Sequence, residues 1–304
     1  MTRLIQFELW KDCSNNCDFC FNKKFGKISS SKLKLERISF AKEFITGPKM
    51  KNYSAIGLIG GEFFGGQLSD KEVSEAFHSL IDLLALKLKD GSIEKVWIAT
   101  ALMFEGREEL ERTLKHFSDC GVLNNVLICT SYDVSGRFKG DGEKLWKDNM
   151  KFLKTRYPDI MLHTEIIITQ DFVDAVLNNR FDISIFAKEF DTHIDFLEPN
   201  CGFSYKSKAE HAKYIKNFYP KRKSFIKFLQ KVYTNGSIDL NSFLSSDLRA
   251  YSLYTEDNSG YKFFTDRAKK NSDLMCDIPS KVGYIDSDIE MRSDVVKFLE
   301  AHNE

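Results

Sequence analysis

The first two thirds of the chain alternate between two kinds of segment, and this alternation limits the fold more than any other feature. Short runs rich in branched and aromatic residues predict strands, at 4–10, 55–59, 95–100, 125–130, 161–168 and 192–197. Longer amphipathic stretches predict helices, at 31–46, 69–89, 107–117, 143–156 and 172–178. Strands that alternate with helices predict an α/β fold with a parallel sheet. Six such units, where a complete barrel has eight, predict a partial (β/α)6 TIM-type barrel.

The pattern changes after residue 200, where helical stretches follow one another. They are predicted at 209–218, 224–233 and 240–253, and a polar linker then leads to a last helix at 294–302. We therefore expect two parts, a barrel over residues 1–200 and a mostly helical C-terminal extension over residues 201–304. The extension is a candidate cover for the barrel opening. Within the barrel, Ser69 and Glu72 predict a capping box for the second helix.

Charge and cysteine content exclude several classes of protein. Lys plus Arg and Asp plus Glu number 44 each, so no global field attracts the chain to nucleic acid or to a lipid surface. No apolar run resembles a signal peptide or a membrane span, which predicts a cytoplasmic protein without a membrane partner. Seven cysteines, an odd number without framework spacing, argue against a disulfide scaffold.

Three cysteines nevertheless lie within eight residues, directly after the first predicted strand. Cys13, Cys17 and Cys20 place three thiols on one loop, and thiolates at this density select zinc or an iron-sulfur cluster. Because no fourth cysteine lies nearby, one coordination position of the metal centre is left open for a ligand. The alternative is a non-catalytic zinc-binding module, in which His163 or His193 completes the site.

The C-x-x-x-C-x-x-C spacing resembles the signature of the radical S-adenosylmethionine superfamily, which commonly has an aromatic residue, here Phe19, before the last cysteine. A second match is Gly60-Gly61-Glu62, at the end of the second predicted strand. The family segment contacts the amino group of S-adenosylmethionine, and Phe63 stands where the family usually has proline.

The resemblance implies an enzyme of the oxidoreductase or lyase type. The three cysteines would hold a [4Fe-4S] cluster, which cleaves S-adenosylmethionine reductively to a 5′-deoxyadenosyl radical that abstracts hydrogen from a substrate. An electron donor such as flavodoxin or ferredoxin is also implied.

Polar residues at the ends of later strands are further candidates for the site, because the carboxyl-terminal rim of a barrel holds its chemistry. The resemblance carries ribose binding to Ser131 and carboxylate binding to Arg137, although a helix-capping hydroxyl and a solvated arginine explain these two equally well. Further cofactor-binding candidates are Thr100, Asp133 and Thr169.

Three residues are candidates for catalysis rather than for cofactor binding. His163 and Glu165 share one face of the fifth strand by period-two alternation, either toward a substrate or as a satisfied buried pair. Cys276, like Cys201, is a candidate hydrogen-atom donor, with an inert buried thiol as the alternative.

Local charge gives the only indication of the substrate. Residues 206–231 carry nine basic side chains against one acidic side chain, Glu210, and aromatic residues are interleaved among them. A second basic stretch follows the cysteine loop, with Lys23, Lys24, Lys27, Lys32 and Lys34. Such segments suit phosphate-bearing partners and predict a nucleoside, a nucleotide or an RNA base as substrate. The alternatives are a solvated helix face and, within the same class of enzyme, a small-molecule or peptide-modifying activity.

Overall fold

The computed structural model describes residues 4–15, 17, 29–134, 136–197, 220, 221, 224, 227, 228, 231 and 283–285; residues 195–197 and 283–285 are described by their backbone alone. Its centre is a sheet of strand order β6-β5-β4-β3-β2-β1-β7. The strands are β1 Leu4–Trp10, β2 Ala55–Gly60, β3 Lys95–Ala99, β4 Val126–Tyr132, β5 Met161–Ile167, β6 His193–Leu197 and β7 Gly283–Ile285. The helices are α1 Ser31–Thr46, α2 Lys71–Lys89, α3 Glu108–Asp119, α4 Gly142–Arg156, α5 Gln170–Leu177 and α6 Ile183–Phe190.

Strands β1 to β6 are all parallel, and each of β1 to β5 pairs with the strand that follows it along the chain. The predicted α/β fold, with a parallel sheet and alternating helices, is confirmed to this extent. Since parallel neighbours all end at the same edge, the carboxyl ends of β1 to β6 lie along one rim of the sheet. This edge is called the carboxyl rim below.

Strand β7 was not predicted. It pairs antiparallel with β1, with Leu4 opposite Ile285 and Gln6 opposite Gly283, so the edge of β1 is covered over these residues. The linker prediction is wrong here because three residues give too short a pattern for a strand to be recognised. Side-by-side pairing with β1 decides the conformation instead.

One face of the sheet carries the hydrophobic core. Ile5, Phe7, Ile56, Leu58 and Ile98 are fully buried there, and Phe7 packs edge-on against Phe44 of α1 with 5.6 Å between ring centroids. The apolar stripes of the helices cover this face, because residues three or four apart on a helix point the same way. Burying this layer is the main source of the stability of the fold.

The start of α2 corrects the predicted capping box. The helix begins at Lys71, and Asp70 caps it: the carboxylate oxygen Oδ1 accepts hydrogen bonds from the N–H groups of Glu72 (3.0 Å) and Val73 (3.2 Å). Ser69 lies one residue too early. An aspartate satisfies the same orphan N–H groups and adds a negative charge at the positive end of the helix dipole. Helix α6, of eight residues, was not predicted either.

Little of the predicted C-terminal extension belongs to the described residues. Ser224, Lys227, Phe228 and Lys231 are helical, as predicted for 224–233, and the fully buried Phe228 packs against Phe172 of α5 with 5.7 Å between ring centroids. The other predicted helices of the extension lie outside the described residues. Among the helices that are described, none has the length and apolar character needed to cross a membrane.

Candidate active site at the carboxyl rim

The cysteine loop and the Gly60-Gly61-Glu62 segment lie together at the carboxyl rim. Two backbone hydrogen bonds join them: Gly61 N–H donates to the carbonyl oxygen of Trp10 (2.9 Å), and Glu62 N–H donates to the carbonyl oxygen of Asp12 (2.8 Å). Asp12 directly precedes Cys13. The first cysteine of the motif is therefore one residue from a contact with the glycine segment, about fifty residues further along the chain.

Both glycines are required by this contact. A Cβ atom on Gly60 would lie 2.4 Å from the carbonyl oxygen of Trp10, and one on Gly61 would lie 2.0 Å from that of Asp12. Both distances are far below van der Waals contact, and the atoms approached belong to the backbone, which cannot rotate away. The resemblance implies that this segment contacts S-adenosylmethionine. The described structure shows a close approach to the cysteine loop.

The Glu62 side chain points into the protein and is 1% exposed. Its Oε1 accepts hydrogen bonds from the N–H groups of Phe63 (2.8 Å) and Phe64 (3.1 Å) and from the hydroxyl of Thr100 (2.8 Å), and its Oε2 accepts from Ala101 N–H (2.6 Å). Burial raises the pKa of this carboxyl, and the four hydrogen bonds oppose the rise. Two predicted cofactor-binding residues, Glu62 and Thr100, are thus brought together, and their polar atoms bond to each other.

A group of residues that the sequence analysis missed closes the base of the cysteine loop. The N–H of Ser29 donates to Asp12 Oδ1, and the N–H of Lys11 donates to the hydroxyl of Ser29 (3.4 Å). The other carboxylate oxygen of Asp12 lies 2.7 Å from Lys34 Nζ. We call Lys11, Asp12, Ser29 and Lys34 the loop neck. Lys34 could have been found from the sequence, since it occupies a position of the stripe 34, 38, 41 and 45 that α1 buries.

Two of the three predicted cluster ligands are described. Cys13 is exposed and Cys17 is buried, whereas Cys20 lies outside the described residues. Among the described residues, no three His, Cys, Asp or Glu side chains are placed to hold one metal ion. His163 and His193, on β5 and β6, therefore do not complete a zinc site with Cys13 and Cys17 in this structure.

The loop after β4 holds three of the predicted residues. Ser131 is half-buried near the end of β4, and Asp133 is fully buried, with its Oδ1 accepting the N–H of Gly136 (2.8 Å). Arg137 is 8% exposed, so the solvated arginine considered from the sequence is wrong. Its Nε is buried and donates to no acceptor within the described residues.

Thr169 serves as a helix cap in the structure. Its hydroxyl accepts the N–H of Phe172 (3.2 Å) at the start of α5, and the residue is 2% exposed. This contact is the capping role that the sequence analysis considered for Ser131.

The second face of the sheet carries polar residues at alternating strand positions. We call this set the polar face; its members are Gln6, Glu8, Trp97, Ser131, His163 and Glu165. Between β4 and β5, Cys129 pairs with His163, and Ser131 pairs with Glu165 two residues nearer the carboxyl rim. Side chains of paired residues point the same way on neighbouring strands, so the predicted catalytic residue Glu165 adjoins the predicted cofactor-binding residue Ser131.

His163 is uncharged at neutral pH. Burial, with a smaller contribution from the charge of His193, lowers the pKa of His163 to about 4. Its Nε2 is buried and makes no hydrogen bond with any described residue, and the same holds for Nε1 of Trp97.

Several sequence predictions cannot be placed on this site. Cys201 and Cys276 lie outside the described residues, as do Lys23, Lys24 and Lys27. Two basic residues of the predicted phosphate-binding stretches are engaged within the protein: Lys34 belongs to the loop neck, and Lys231 Nζ donates to the carbonyl oxygen of Val176 (2.6 Å). These two lysines are not part of an exposed basic surface.

A scan of the chain against models of protein families finds no match, and a search of the curated proteins finds no significant relative.

Proposed function

We propose that this protein is a radical S-adenosylmethionine enzyme of the oxidoreductase or lyase type, on a partial (β/α)6 barrel. The observation that carries the proposal is the pair of hydrogen bonds between the start of the cysteine loop and Gly60-Gly61-Glu62. Two motifs far apart in sequence, each suggestive by itself, lie against each other at the rim where parallel α/β folds bind ligands.

The donor set suits an iron-sulfur cluster. Cys13 and Cys17 stand on the loop at the carboxyl end of β1, and we propose Cys20 as the third ligand. When bound, a [4Fe-4S] cluster with S-adenosylmethionine at its open iron supplies the radical that removes a hydrogen atom from the substrate. The chain's own residues position this chemistry: the glycines admit the loop, and Glu62 fixes the turn beside it through four hydrogen bonds.

We propose that Gly60, Gly61, Ser131, Asp133 and Arg137 contact the cofactor. Arg137 supports this assignment because its buried Nε lacks an acceptor among the described residues, and a carboxylate is the acceptor that an arginine prefers. A cytoplasmic flavodoxin or ferredoxin would supply the electron. The extension over residues 201–304 would cover the site and exclude water, which protects a radical from side reactions.

For the substrate, we propose a nucleoside, a nucleotide or an RNA base held on the polar face. Trp97 is half-buried there and offers a ring for stacking. On the neighbouring strands, Ser131, His163 and Glu165 offer hydrogen-bonding groups, and the neutral imidazole of His163 can accept as well as donate.

Anaerobic metal analysis tests the class of enzyme. We expect about four irons and four sulfides per chain, with a brown colour that is lost in Cys17→Ala and kept in Cys120→Ala, a cysteine at the end of α3. The reduced, loaded protein should release 5′-deoxyadenosine from S-adenosylmethionine. One zinc without sulfide would instead establish a zinc-binding module, and a full cluster without 5′-deoxyadenosine would refute the mechanism.

Tryptophan fluorescence tests the substrate class. Trp10 and Trp146 are fully buried, so quenching by an added nucleoside reports on Trp97. We expect guanosine or cytidine to quench the fluorescence of the wild type and not that of Trp97→Phe. Glu165→Gln should weaken nucleoside binding about tenfold, the loss expected for one hydrogen bond to a charged group. The protein can be tested on immobilised RNA in the same way. Binding that is abolished by moderate salt, and by neutral residues at positions 221–223, would indicate a polynucleotide substrate. Absence of both responses would favour a peptide substrate.

A further inference from the structure

We infer that Lys34, acting through Asp12, is a positioning residue that holds the cysteine loop against the Gly60-Gly61-Glu62 turn. The inference gives a function to a buried charge pair, and it rests on the proposed cluster for its chemical purpose. Lys34 does not touch the reacting atoms in this account; it fixes the residue that precedes the first cysteine.

Asp12 connects three parts of the protein. Its Oδ1 accepts the N–H of Ser29 at the far end of the cysteine loop, and its carbonyl oxygen accepts the N–H of Glu62. Its Oδ2 pairs with Lys34 at 2.7 Å. The beginning of the loop, the end of the loop and the glycine turn therefore all depend on one aspartate.

Lys34 is the counter-charge that orients the Asp12 carboxylate. The lysine and the aspartate are each 8% exposed, and an isolated carboxylate at that depth is strongly disfavoured without a counter-charge. Lys34 Nζ also lies 3.5 Å from the carbonyl oxygen of Gln67 and 5.1 Å from the ring centroid of Trp10. The Lys34 ammonium group therefore contacts a carboxylate, a backbone carbonyl oxygen and an aromatic ring, and these contacts restrict the conformation of its side chain.

This arrangement reduces the freedom of the loop that carries the three cysteines. Hydrogen bonds of the loop neck join Lys11 and Asp12, which precede the three cysteines in the sequence, to Ser29, which follows them. Closing a loop at its base removes conformations in which its ligands are too far apart to share one metal centre. Breaking the charge pair should release the base of the loop while leaving the sheet intact.

Hydrogen exchange in the metal-free, full-length protein tests the inference without any cluster. We expect the Ser29 amide to be protected in the wild type and to exchange about tenfold faster or more in Lys34→Met, the effect of losing one charge-assisted contact. The Gly47 amide at the other end of α1 donates to the carbonyl oxygen of Phe44 and serves as an internal reference. Lys34→Arg should restore protection, and Lys42→Met, which removes a contact of 2.9 Å with the hydroxyl of Ser79, should not reduce it.

A double variant separates positioning from simple stability. Asp12→Leu with Lys34→Met leaves no buried charge without a partner, so it should unfold at a higher urea concentration than either single variant. Leu at position 12 cannot accept the N–H of Ser29, so rapid exchange at Ser29 should persist. After anaerobic loading, we expect the double variant and Lys34→Met to lose iron to a chelator about tenfold faster than the wild type.

Two results would overturn the inference: wild-type exchange at Ser29 in Lys34→Met, or wild-type iron retention in the double variant. Failure of the proposed function gives a different result, since a wild type that binds zinc or no metal would still show the exchange response to Lys34→Met. Conversely, a wild type with a full cluster and no exchange response keeps the proposed function and loses the inference.

Discussion

Single residues at the carboxyl rim are constrained mainly by backbone atoms of the same chain. Gly60 and Gly61 face carbonyl oxygens, and Glu62 accepts three backbone N–H groups. A short motif such as Gly-Gly-Glu can thus be required structurally whether or not a ligand is bound. Substitutions at these positions are expected to change the shape of the site before they change any contact with a cofactor.

Replacement of Gly61 by alanine should displace the cysteine loop. The added methyl group would lie 2.0 Å from the Asp12 carbonyl oxygen, and we expect a loss of about 3 kcal/mol in the free energy of unfolding. Urea denaturation measures this loss. Gly142→Ala is the matched control. Gly142 is the first residue of α4, and its added methyl group would lie 3.3 Å from the sulfur of the flexible Met103 side chain. Equal stability of both variants would contradict the prediction.

His163 should make stability depend on pH. Its folded pKa of about 4 lies below the ordinary value of 6.5, so the folded state binds fewer protons than the unfolded state between these values. The contribution of His163 is therefore complete above pH 6.5 and is lost as the pH falls toward 4, by about 2 kcal/mol after allowance for partial exposure.

Urea midpoints between pH 7 and pH 4 measure this dependence in the wild type and in His163→Gln. The wild type should lose more stability than the variant as the pH falls. His193→Gln is the control and should keep most of the wild-type slope, because burial, the main cause of the shift, remains. Parallel slopes for the wild type and His163→Gln would show that the histidine is not responsible.

At the scale of elements, the loop between β3 and α3 is held from two sides. Ala101 N–H donates to Glu62, and the side-chain amide of Asn149 on α4 donates to the carbonyl oxygens of Leu102 (2.9 Å) and Phe104 (2.8 Å). Leu102 has a positive φ of 55°, an uncommon conformation that its neighbours must maintain. Helix α4 thus stabilises the turn that orients Glu62, although it contributes no residue to the rim itself.

Asn149→Ala should therefore destabilise the protein by about 2–3 kcal/mol. Two buried carbonyl groups would lose their donor, and Arg107 Nε would lose its acceptor, Asn149 Oδ1, at 2.7 Å. Thermal unfolding followed by circular dichroism measures the loss. Asn125→Ala, which removes one exposed bond to the Glu94 carbonyl oxygen, should change stability by less than about 1 kcal/mol. A larger effect at residue 125 would refute this assignment of roles.

The elements themselves were largely predictable, and their contacts were not. Period-two and 3.6-residue patterns gave all six parallel strands within one or two residues, because alternate burial imposes those periods. Strand β7 and the cap Asp70 were missed, since a three-residue strand and the choice between adjacent capping residues depend on tertiary contacts. Asp12 was missed because it looks like an ordinary surface charge in the sequence, and Lys34 was assigned to a basic stretch although it falls in the buried stripe of α1.

For the whole molecule, equal numbers of basic and acidic residues leave no net charge to direct binding, so the site must select its ligands through local geometry. The proposed cofactors would bind to the folded protein and not to the unfolded chain. Binding of that kind adds to stability in proportion to the logarithm of the ligand concentration.

Anaerobic loading with iron and sulfide, followed by S-adenosylmethionine, should accordingly raise the unfolding temperature by about 5 °C or more. Differential scanning fluorimetry under nitrogen measures the shift. Cys17→Ala should abolish it and Cys120→Ala should retain it. Treatment of the loaded wild type with a chelator should return the unfolding temperature to that of the metal-free protein. An equal rise in all three proteins would indicate nonspecific metal binding.

The amino-acid sequence by itself determined the alternation of strands and helices and the two motifs of the rim, because periodicity and local spacing are properties of neighbouring residues. The tertiary structure alone decided that the motifs touch, that Glu62 is satisfied by Ala101, 39 residues away, and that Asp12 closes the loop through Ser29, 17 residues away. The first two contacts follow from the order of strands in the sheet, whereas the third lies within the one connection between β1 and α1. Strand order sets which loops meet, and no pattern within a single segment of the chain encodes it.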